Sequence, residues 1–180
     1  MSNKKIRVSI GSAAVLNLNS VSLDTLPTTC YLMTSSQNKC LGNCQFCPQG
    51  KDSDPKITDK LSRVQWPEYT WDTVLENLKK NQQKKGKNKF KRICIQVLNY
   101  PGFFHDVYNF IKKIRKFIPE IPISSAIPPI SKKRMEDLKH IGLSTIAFAL
   151  DACNPDLFAK IKGSAIGSPY RWEIHMKCLD

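Results

Sequence analysis

Three cysteines lie close together in the segment CLGNCQFCPQG, which covers residues 40–50. Cys40, Cys44 and Cys47 have the spacing C-x3-C-x2-C, and Phe46 stands directly before the last of them. Cysteine thiolates bind zinc and iron–sulfur clusters, so this spacing predicts one metal centre held by a single loop. A structural zinc site or a ferredoxin cluster uses four protein ligands. Three ligands therefore indicate a centre with one open position.

The other cysteines offer no local fourth ligand. They are isolated along the chain at Cys30, Cys94, Cys153 and Cys178. Isolated cysteines are most often packing residues, so we predict that none of these four binds metal. The alternative is a zinc site completed by one distant ligand, which would make the protein a non-catalytic binding module.

The cysteine motif with its aromatic residue resembles the signature of the radical S-adenosylmethionine (SAM) superfamily. The resemblance implies that Cys40, Cys44 and Cys47 hold a [4Fe–4S] cluster and that S-adenosyl-L-methionine chelates the open iron. It also implies that Phe46 packs near the adenine. Reductive cleavage of SAM would then yield a 5′-deoxyadenosyl radical, which abstracts hydrogen from an unactivated C–H bond.

Several further segments narrow this resemblance. They are RVSIGSAAVL, PTTCYLMT, LSRVQWP, ICIQVLNYPG, ALDACNPDLFAKIKG and SPYRWEIHMKCLD. Together they are similar to biotin synthase-related radical proteins, in particular one subunit of the two-protein archaeal lipoyl synthase. The resemblance implies sulfur insertion into octanoyl chains on an acidic lipoyl carrier protein. It implies as partners a second radical SAM subunit and a ferredoxin or flavodoxin reductant. A radical SAM enzyme of a different substrate class is the alternative.

The elements that must position the cysteine motif alternate between strands and helices. Apolar runs predict strands near 28–35, 92–98, 121–126 and 145–150. A helix is predicted after each strand, and a last helix is predicted to begin at Ser168 and Pro169. This alternation predicts an α/β fold with a parallel sheet and helical crossovers. The motif follows the first strand, at the strand end where parallel α/β barrels carry their chemistry.

Polar residues and glycines mark the expected ends of the helices. Thr70 and Asn154 are expected N-caps, and Pro155 is expected in a first helical turn. Gly142 and Gly163 are expected to end the helices that precede them. These boundaries leave four strand–helix units in the chain.

The resemblance implies a six-unit partial TIM barrel, which is more than the four units found. We therefore expect residues 28–180 to be the N-terminal part of a radical SAM core domain, truncated to about four βα units. Residues 1–27 are expected to be an N-terminal extension. An open parallel edge is an aggregation hazard, so truncation is favoured over a barrel completed by a second chain.

Three polar residues at the end of the second predicted strand are candidates for cofactor binding. Gln96, Asn99 and Tyr100 occupy the place where the resemblance implies a contact with the methionine amino group. No Gly-Gly-Glu segment, which the superfamily commonly has there, is present. The alternative is a plain strand-end turn into Pro101.

The third and fourth predicted strands carry the remaining candidates. Side chains alternate along a strand, so at most one of Ser124 and Ser125 can face the cofactor, and Ser125 is our candidate. Asp151 ends the fourth strand, where the resemblance implies a contact with the ribose. The alternative for Asp151 is a helix-initiating aspartate, since Asn154 and Pro155 follow closely.

Composition limits the partners and the compartment. The chain has 180 residues and a formal net charge of +13, which favours an acidic partner, although lysines spread over a solvated surface are the simpler explanation. Few aromatic residues interleave with the lysines, so a nucleic-acid partner is not indicated. No apolar run approaches a membrane span, and the basic N-terminal stretch lacks a cleavage site. These features predict a cytoplasmic protein with free thiols and no membrane partner.

Overall fold

A mainly parallel six-stranded sheet forms the centre of the molecule. The computed structural model describes residues 4–84 and 88–179, and the elements are numbered in chain order within these ranges. The strands are β1 Lys5–Val8, β2 Thr29–Thr34, β3 Lys60–Leu61, β4 Val64–Gln65, β5 Glu68–Thr70, β6 Arg92–Gln96, β7 Ile123–Ala126 and β8 Thr145–Ala147. The α-helices are α1 Ile10–Val15, α2 Trp71–Gln83, α3 Phe103–Phe117, α4 Lys132–His140, α5 Pro155–Ile161 and α6 Trp172–Leu179.

The strand order across the sheet is β5-β1-β2-β6-β7-β8. The four strands from β2 to β8 in this order run parallel, with Cys30 opposite Ile93 and Ile93 opposite Ile123. α2, α3 and α4 connect successive parallel strands, and α5 follows β8. This arrangement confirms the predicted α/β class and the four predicted strand–helix units, and it is consistent with a partial (β/α) barrel.

The N-terminal residues add an antiparallel flank that the sequence patterns do not predict. β1 pairs antiparallel with β2, where Ile6 lies opposite Thr34, and β5 pairs antiparallel with the other edge of β1. Part of the predicted extension over 1–27 therefore belongs to the sheet. The ends of the two predicted segments, residues 1–3 and 180, lie outside the described residues. β3 and β4 form a separate two-stranded hairpin.

The helix ends follow the predicted capping chemistry. Thr70 Oγ1 accepts a hydrogen bond from the backbone N–H of Thr73 at 3.2 Å, and Asn154 Oδ1 accepts one from Leu157 at 2.9 Å. Each bond satisfies a backbone donor that the first helical turn leaves unpaired. The glycine predicted to end α4 has φ +94°, a left-handed conformation that suits the residue just after a helix.

The last helix begins later than its sequence predicts. α6 starts at Trp172 instead of at Ser168. The guanidinium of Arg171 donates to the carbonyl oxygens of Ser168 and Tyr170, at 2.7 Å in both cases. The hydroxyl of Ser164 donates to the same Tyr170 carbonyl at 2.7 Å. The carbonyls of Ser168 and Tyr170 therefore accept hydrogen bonds from side chains. Residues 168–171 form a turn, and the helix begins after it.

The main hydrophobic core lies between the sheet and helices α2, α3 and α4. Alternate strand residues face this layer and are fully buried, namely Cys30, Leu32, Ile93, Ile95 and Ile123. The helices contribute the residues of their apolar stripes, among them Val74, Leu78, Val107, Phe110, Ile114 and Leu138. The core thus leaves the opposite face of the parallel strands available for other contacts. Among the described residues, no helix combines the length and apolarity that crossing a membrane requires.

Candidate cofactor site at the cysteine loop

The segment 40–50, here called the cysteine loop, is closed by backbone hydrogen bonds. Cys40 N–H donates to the Gln49 carbonyl at 3.2 Å, and Cys47 N–H donates to the Cys44 carbonyl at 3.0 Å. The Gln49 side chain is buried and donates to the carbonyl oxygens of Thr58 and Lys60, at 2.7 and 2.6 Å. The loop is therefore a compact turn, and Gln49 near its C-terminal end attaches it to residues 58–60.

A second anchor joins the cysteine loop to the end of α5. The backbone N–H of Gln45 donates to the Ile161 carbonyl at 3.0 Å. Gly163 lies so close to Asn43 that an added Cβ would be 2.3 Å from the Asn43 carbonyl oxygen. Gly163 also has φ +75°, which residues with a Cβ rarely adopt. Both requirements select glycine, and they attach the loop to the fourth strand–helix unit.

A cavity of about 190 Å³, here called the cysteine cavity, opens beside the loop at the C-terminal ends of β6, β7 and β8. Its walls include six of the residues that the sequence predicts for the site, namely Cys40, Cys44, Phe46, Cys47, Gln96 and Asp151. The fold thus collects residues that are far apart in the chain at the strand ends, where parallel α/β proteins bind ligands.

The three motif cysteines are partly buried, and the sulfur of Cys40 accepts hydrogen bonds from the backbone. Cys40 Sγ accepts hydrogen bonds from the backbone N–H groups of Gly42, at 3.4 Å, and Asn99, at 3.3 Å. Burial raises the pKa of the Cys44 thiol to about 11 and also raises the pKa of Cys47. The other motif thiols and Asp151 raise the pKa of Cys44 further, while Lys162 opposes the shift.

An ion pair between a buried lysine and an exposed aspartate forms one wall of the cysteine cavity. Lys162 is only 4% exposed, and its Nζ donates to Asp151 Oδ2 at 2.8 Å and to the Ala149 carbonyl at 2.9 Å. Asp151 has φ +58°, so its backbone is held in a conformation that is uncommon for residues other than glycine. The lysine therefore fixes the carboxylate and places a cation near the sulfurs. The prediction that Asp151 ends the fourth strand is wrong, because β8 ends at Ala147 and Asp151 lies in the segment that follows. Lys162 was not predicted, because a lysine just after a helix is ordinary at a solvated helix end.

Two aromatic residues after α5 also line the cysteine cavity and were not predicted. Tyr170 packs with Lys162 Nζ, which lies 4.9 Å from its ring centre, and with the ring of His175 at 5.3 Å. His175 is buried, its Nδ1–H donates to the Arg171 carbonyl at 3.0 Å, and burial lowers its pKa. Burial also raises the pKa of Tyr170. No local pattern marks these residues, because their position depends on the fold.

Three predicted site residues lie outside the cysteine cavity. Asn99 contacts Cys40 through its backbone and is not a wall residue. Tyr100 is buried, and its hydroxyl donates to Asp106 Oδ2 at 2.9 Å. Ser125 faces the helix layer, is fully buried, and donates to the Ile95 carbonyl at 3.2 Å. The structure therefore does not bring the side chains of Tyr100 and Ser125 to the site, because their hydroxyls are used inside the protein.

The other cysteines have different surroundings. Cys30 is fully buried in the main core, and burial raises the pKa of its thiol. Cys94 accepts a hydrogen bond from Gln96 Nε2 at 3.3 Å, and Cys153 is exposed. None of these three lines the cysteine cavity. That they bind no metal stays a prediction.

The motif cysteines form a suitable donor set for a thiolate-bound metal centre. Over residues 4–84 and 88–179, no three His, Cys, Asp or Glu side chains are gathered as a ready metal site. Cys40, Cys44 and Cys47 nevertheless face one cavity, and sulfur ligands select iron–sulfur clusters or zinc. A cationic centre would also lower the raised thiol pKa values by stabilising the thiolates. The residues present therefore fit such a group.

Comparison with known protein families identifies the class of the chain. The family model described as the Radical SAM superfamily matches residues 34–180, which include the cysteine loop and the four parallel strand–helix units, except that only the last residue of β2 lies within the match. The chain belongs to the radical SAM superfamily. No curated protein matches it.

Membership of this superfamily has three consequences for the site. The chain is a radical SAM enzyme in the general sense, and members typically use a [4Fe–4S] cluster together with S-adenosyl-L-methionine. The match does not distinguish substrate classes. It therefore supports the general enzyme class that the cysteine motif indicates. It does not support the narrower relation to biotin synthase or lipoyl synthase.

Proposed function

We propose that this chain binds a [4Fe–4S] cluster through Cys40, Cys44 and Cys47 and uses it with SAM to abstract hydrogen from an octanoyl chain, into which sulfur from a separate sulfur donor is then inserted. The observation that carries the cluster assignment is that these three thiols line one cavity at the C-terminal ends of the parallel strands. When bound, such a cluster supplies an electron to the SAM sulfonium, so that methionine and a 5′-deoxyadenosyl radical form. The rest of the chemistry depends on how the chain binds and orients SAM and the substrate.

The wall of the cysteine cavity offers contacts for the adenosine and methionine parts of SAM. Asp151, fixed by Lys162, can accept hydrogen bonds from the ribose hydroxyls. Phe46 is 63% exposed and borders the cavity, so its ring is free to pack against the adenine. Gln96 borders the cavity at the end of β6 and is placed for a polar contact with the methionine end.

The proposed aliphatic substrate is supported by a second cavity. An apolar groove of about 460 Å³ is lined by Ile10, Leu23, Pro27, Tyr31, Val64 and Trp66, among others. Leu61 and Gln96 border both this groove and the cysteine cavity. An octanoyl chain lying in the groove would therefore have one end near the proposed cofactor. Burial of its methylene groups would contribute about 0.8 kcal/mol each.

The cluster assignment is tested by anaerobic reconstitution with iron and sulfide. Iron, sulfide and zinc contents and SAM-dependent 5′-deoxyadenosine formation are measured. We expect Cys40→Ala, Cys44→Ala and Cys47→Ala each to lose the cluster and the product. The matched controls Cys94→Ala and Cys153→Ala should retain both. Loss of iron in a control as complete as in Cys44→Ala would contradict the ligand assignment, and stoichiometric zinc without sulfide would favour the binding module.

The substrate assignment needs a separate experiment. With a deuterated octanoyl group on a lipoyl carrier protein, deuterium should appear in 5′-deoxyadenosine. Leu23→Trp narrows the groove, so an octanoyl chain could enter it only by displacing side chains. Overfilling a packed site costs about 1–3 kcal/mol, so deuterium transfer should fall about tenfold or more. Leu26→Trp is the control, because Leu26 is exposed nearby and does not line the groove. A cluster-loaded enzyme that transfers no deuterium from the octanoyl chain would refute this substrate and leave the radical SAM class intact.

Three protein partners are proposed, of which the lipoyl carrier protein is acidic. An acidic lipoyl carrier protein, a second radical SAM subunit and a ferredoxin or flavodoxin reductant are the candidates. The formal net charge of +13 supports association with acidic surfaces. The affinity for a lipoyl carrier protein should weaken as salt is raised from low to physiological ionic strength, because exposed charges are then screened. Binding that does not change with salt would argue against a charge-driven complex.

A further inference from the structure

Tyr170 lies directly on the backbone of the cysteine loop. An added Cβ at Gly42 would lie 2.5 Å from Tyr170 Cε2 and 3.1 Å from its hydroxyl oxygen. Any residue larger than glycine at position 42 would therefore displace the ring. On its other sides the ring is held by Lys162 Nζ, at 4.9 Å, and by the ring of His175, at 5.3 Å. The position of the phenol is thus set by packing from both sides.

The hydroxyl of Tyr170 lies beside one particular sulfur. Its oxygen is close to Gly42, whose backbone N–H donates to Cys40 Sγ at 3.4 Å, and Tyr170 and Cys40 line the same cavity. The Cys40 thiol and the Asn99 side chain are both near enough to influence the pKa of the phenol. Cys40 Sγ accepts the backbone N–H groups of Gly42 and Asn99. Cys40 is therefore the motif cysteine that has a side-chain hydroxyl close to it in addition to backbone donors.

A hydrogen bond to a cluster sulfur affects the electron affinity of the cluster. The donor stabilises negative charge on the thiolate, and the reduced cluster carries more negative charge than the oxidised one. Hydrogen bonds of this kind therefore raise the reduction potential. Backbone donors cannot be removed by substitution, whereas the phenol can. This makes Tyr170 the accessible point at which the chain adjusts the potential.

We propose that Tyr170 is a positioning residue that donates a hydrogen bond to the Cys40 thiolate and raises the reduction potential of the cluster. The inference rests on the proposed cluster ligation by the cysteine loop. It assigns a role in cofactor reduction to the connection between α5 and α6, which carries none of the cysteines.

The test is a redox titration of the full reconstituted chain, followed by the electron paramagnetic resonance signal of the reduced cluster. In Tyr170→Phe, we expect the ratio of reduced to oxidised cluster at a given potential to fall about tenfold, which is about 59 mV for a one-electron couple. The matched control is Tyr69→Phe. The substitution Tyr69→Phe likewise removes a phenol hydroxyl, which in this case donates to the Leu18 carbonyl at 3.2 Å. Tyr69 lies outside the cysteine cavity. Its midpoint should equal that of the parent.

A second variant covers the case in which Tyr170→Phe fails to fold or to take up iron. Tyr170→3-fluorotyrosine keeps the ring packing and has a more acidic phenol, so it should raise the midpoint potential. An unchanged midpoint in the fluorinated protein, or in a cluster-loaded Tyr170→Phe protein, would overturn the inference. A parent protein that binds zinc or no cluster would instead refute the proposed function, so the two failures are distinguishable.

Discussion

The two faces of the parallel sheet have different compositions. On the face toward the helices, Leu32, Ile93, Ile95 and Ile123 are fully buried. On the opposite face, Tyr31, Cys94, Gln96, Ser124 and Ala126 are partly or largely exposed, while Met33 is fully buried and borders the cysteine cavity. Parallel sheets are usually buried on both faces. The difference teaches that one face holds the protein together, while the other lines the two cavities and is available for ligands.

The largest effect is expected on the helix-facing side. Ile95→Ala removes a fully buried side chain and should lower the free energy of unfolding by about 2–5 kcal/mol, because a cavity replaces packed atoms. Gln96→Ala, one residue on and facing the cavities, should change it by about 0.5 kcal/mol or less. Urea unfolding of the metal-free chain measures both. Equal losses in the two variants would show that the faces do not divide their roles in this way.

A smaller effect is expected where the cysteine loop meets α5. Gly163→Ala places a Cβ against the Asn43 carbonyl and forces a residue with a side chain into φ +75°. The backbone conformation alone should cost about 1–3 kcal/mol. The matched control is Gly167→Ala, because Gly167 has φ +87° and no atom within 4 Å of the added Cβ.

Subtracting the loss in Gly167→Ala from the loss in Gly163→Ala isolates the contact with the cysteine loop. We expect a further destabilisation in Gly163→Ala together with reduced iron uptake, measured by urea unfolding and by iron analysis after reconstitution. If Gly163→Ala takes up as much iron as Gly167→Ala, the contact with Asn43 does not position the loop.

A pH-dependent effect is expected at the buried histidine beside the cysteine cavity. Burial lowers the pKa of His175, so as the pH falls the unfolded chain takes up this proton first. Its contribution to stability should therefore be present above about pH 6.5 and be lost as the pH falls through the depressed native pKa. Urea unfolding should be measured from about pH 5 to about pH 8, on both sides of the ordinary histidine pKa. As the pH falls, the free energy of unfolding should decrease less in His175→Asn and in His175→Phe than in the parent. Parallel curves for all three proteins would contradict the assignment.

The smallest effect on folding is expected at the motif phenylalanine. Phe46 is largely exposed, so Phe46→Ala should change the free energy of unfolding by about 0.5 kcal/mol or less. Loss of aromatic packing on the adenine should cost about 0.5–1.5 kcal/mol of SAM binding, roughly two- to tenfold in affinity. Phe117→Ala is the control, because Phe117 is 45% exposed and does not line the cysteine cavity. Isothermal titration of the reconstituted proteins with SAM compares the affinities of Phe46→Ala and Phe117→Ala. An equal loss of SAM affinity in the two variants would exclude a specific contact by Phe46.

The parallel part of the sheet was predictable from sequence because each strand is a short apolar run followed by a helix, and three of these four helices begin at a residue whose side chain caps them. Thr29–Thr34 and Arg92–Gln96 lie within the predicted ranges, and Thr70 and Asn154 cap helices as expected. The antiparallel flank was missed because Lys5–Val8 has four residues, too few for a reliable alternation. Its pairing with β2 and β5 supplies the stability that its own pattern does not reveal.

The site was predictable where its chemistry is local and missed where it depends on distant contacts. The three motif cysteines lie within one loop, and Asp151 was found because it follows a predicted strand, although that strand ends at Ala147. Lys162 and Tyr170 reach the same cavity only because Gly163 and Gly42 permit close approach. Ser125 is a residue that was predicted for the site and does not belong to it. Alternation allows one of two serines to face a ligand, and only the register opposite Ile95 shows that Ser125 faces the core.

The contact between the cysteine loop and the end of α5 also sets an order of events during synthesis. Residues 40–50 leave the ribosome long before Ile161 and Gly163, which hold the loop in place. Chains are made at about 5–20 residues per second, so the loop is without these partners for several seconds. Its thiols are then accessible to oxidants and to adventitious metals. Cofactor insertion into the docked loop must therefore follow translation of the fourth strand–helix unit.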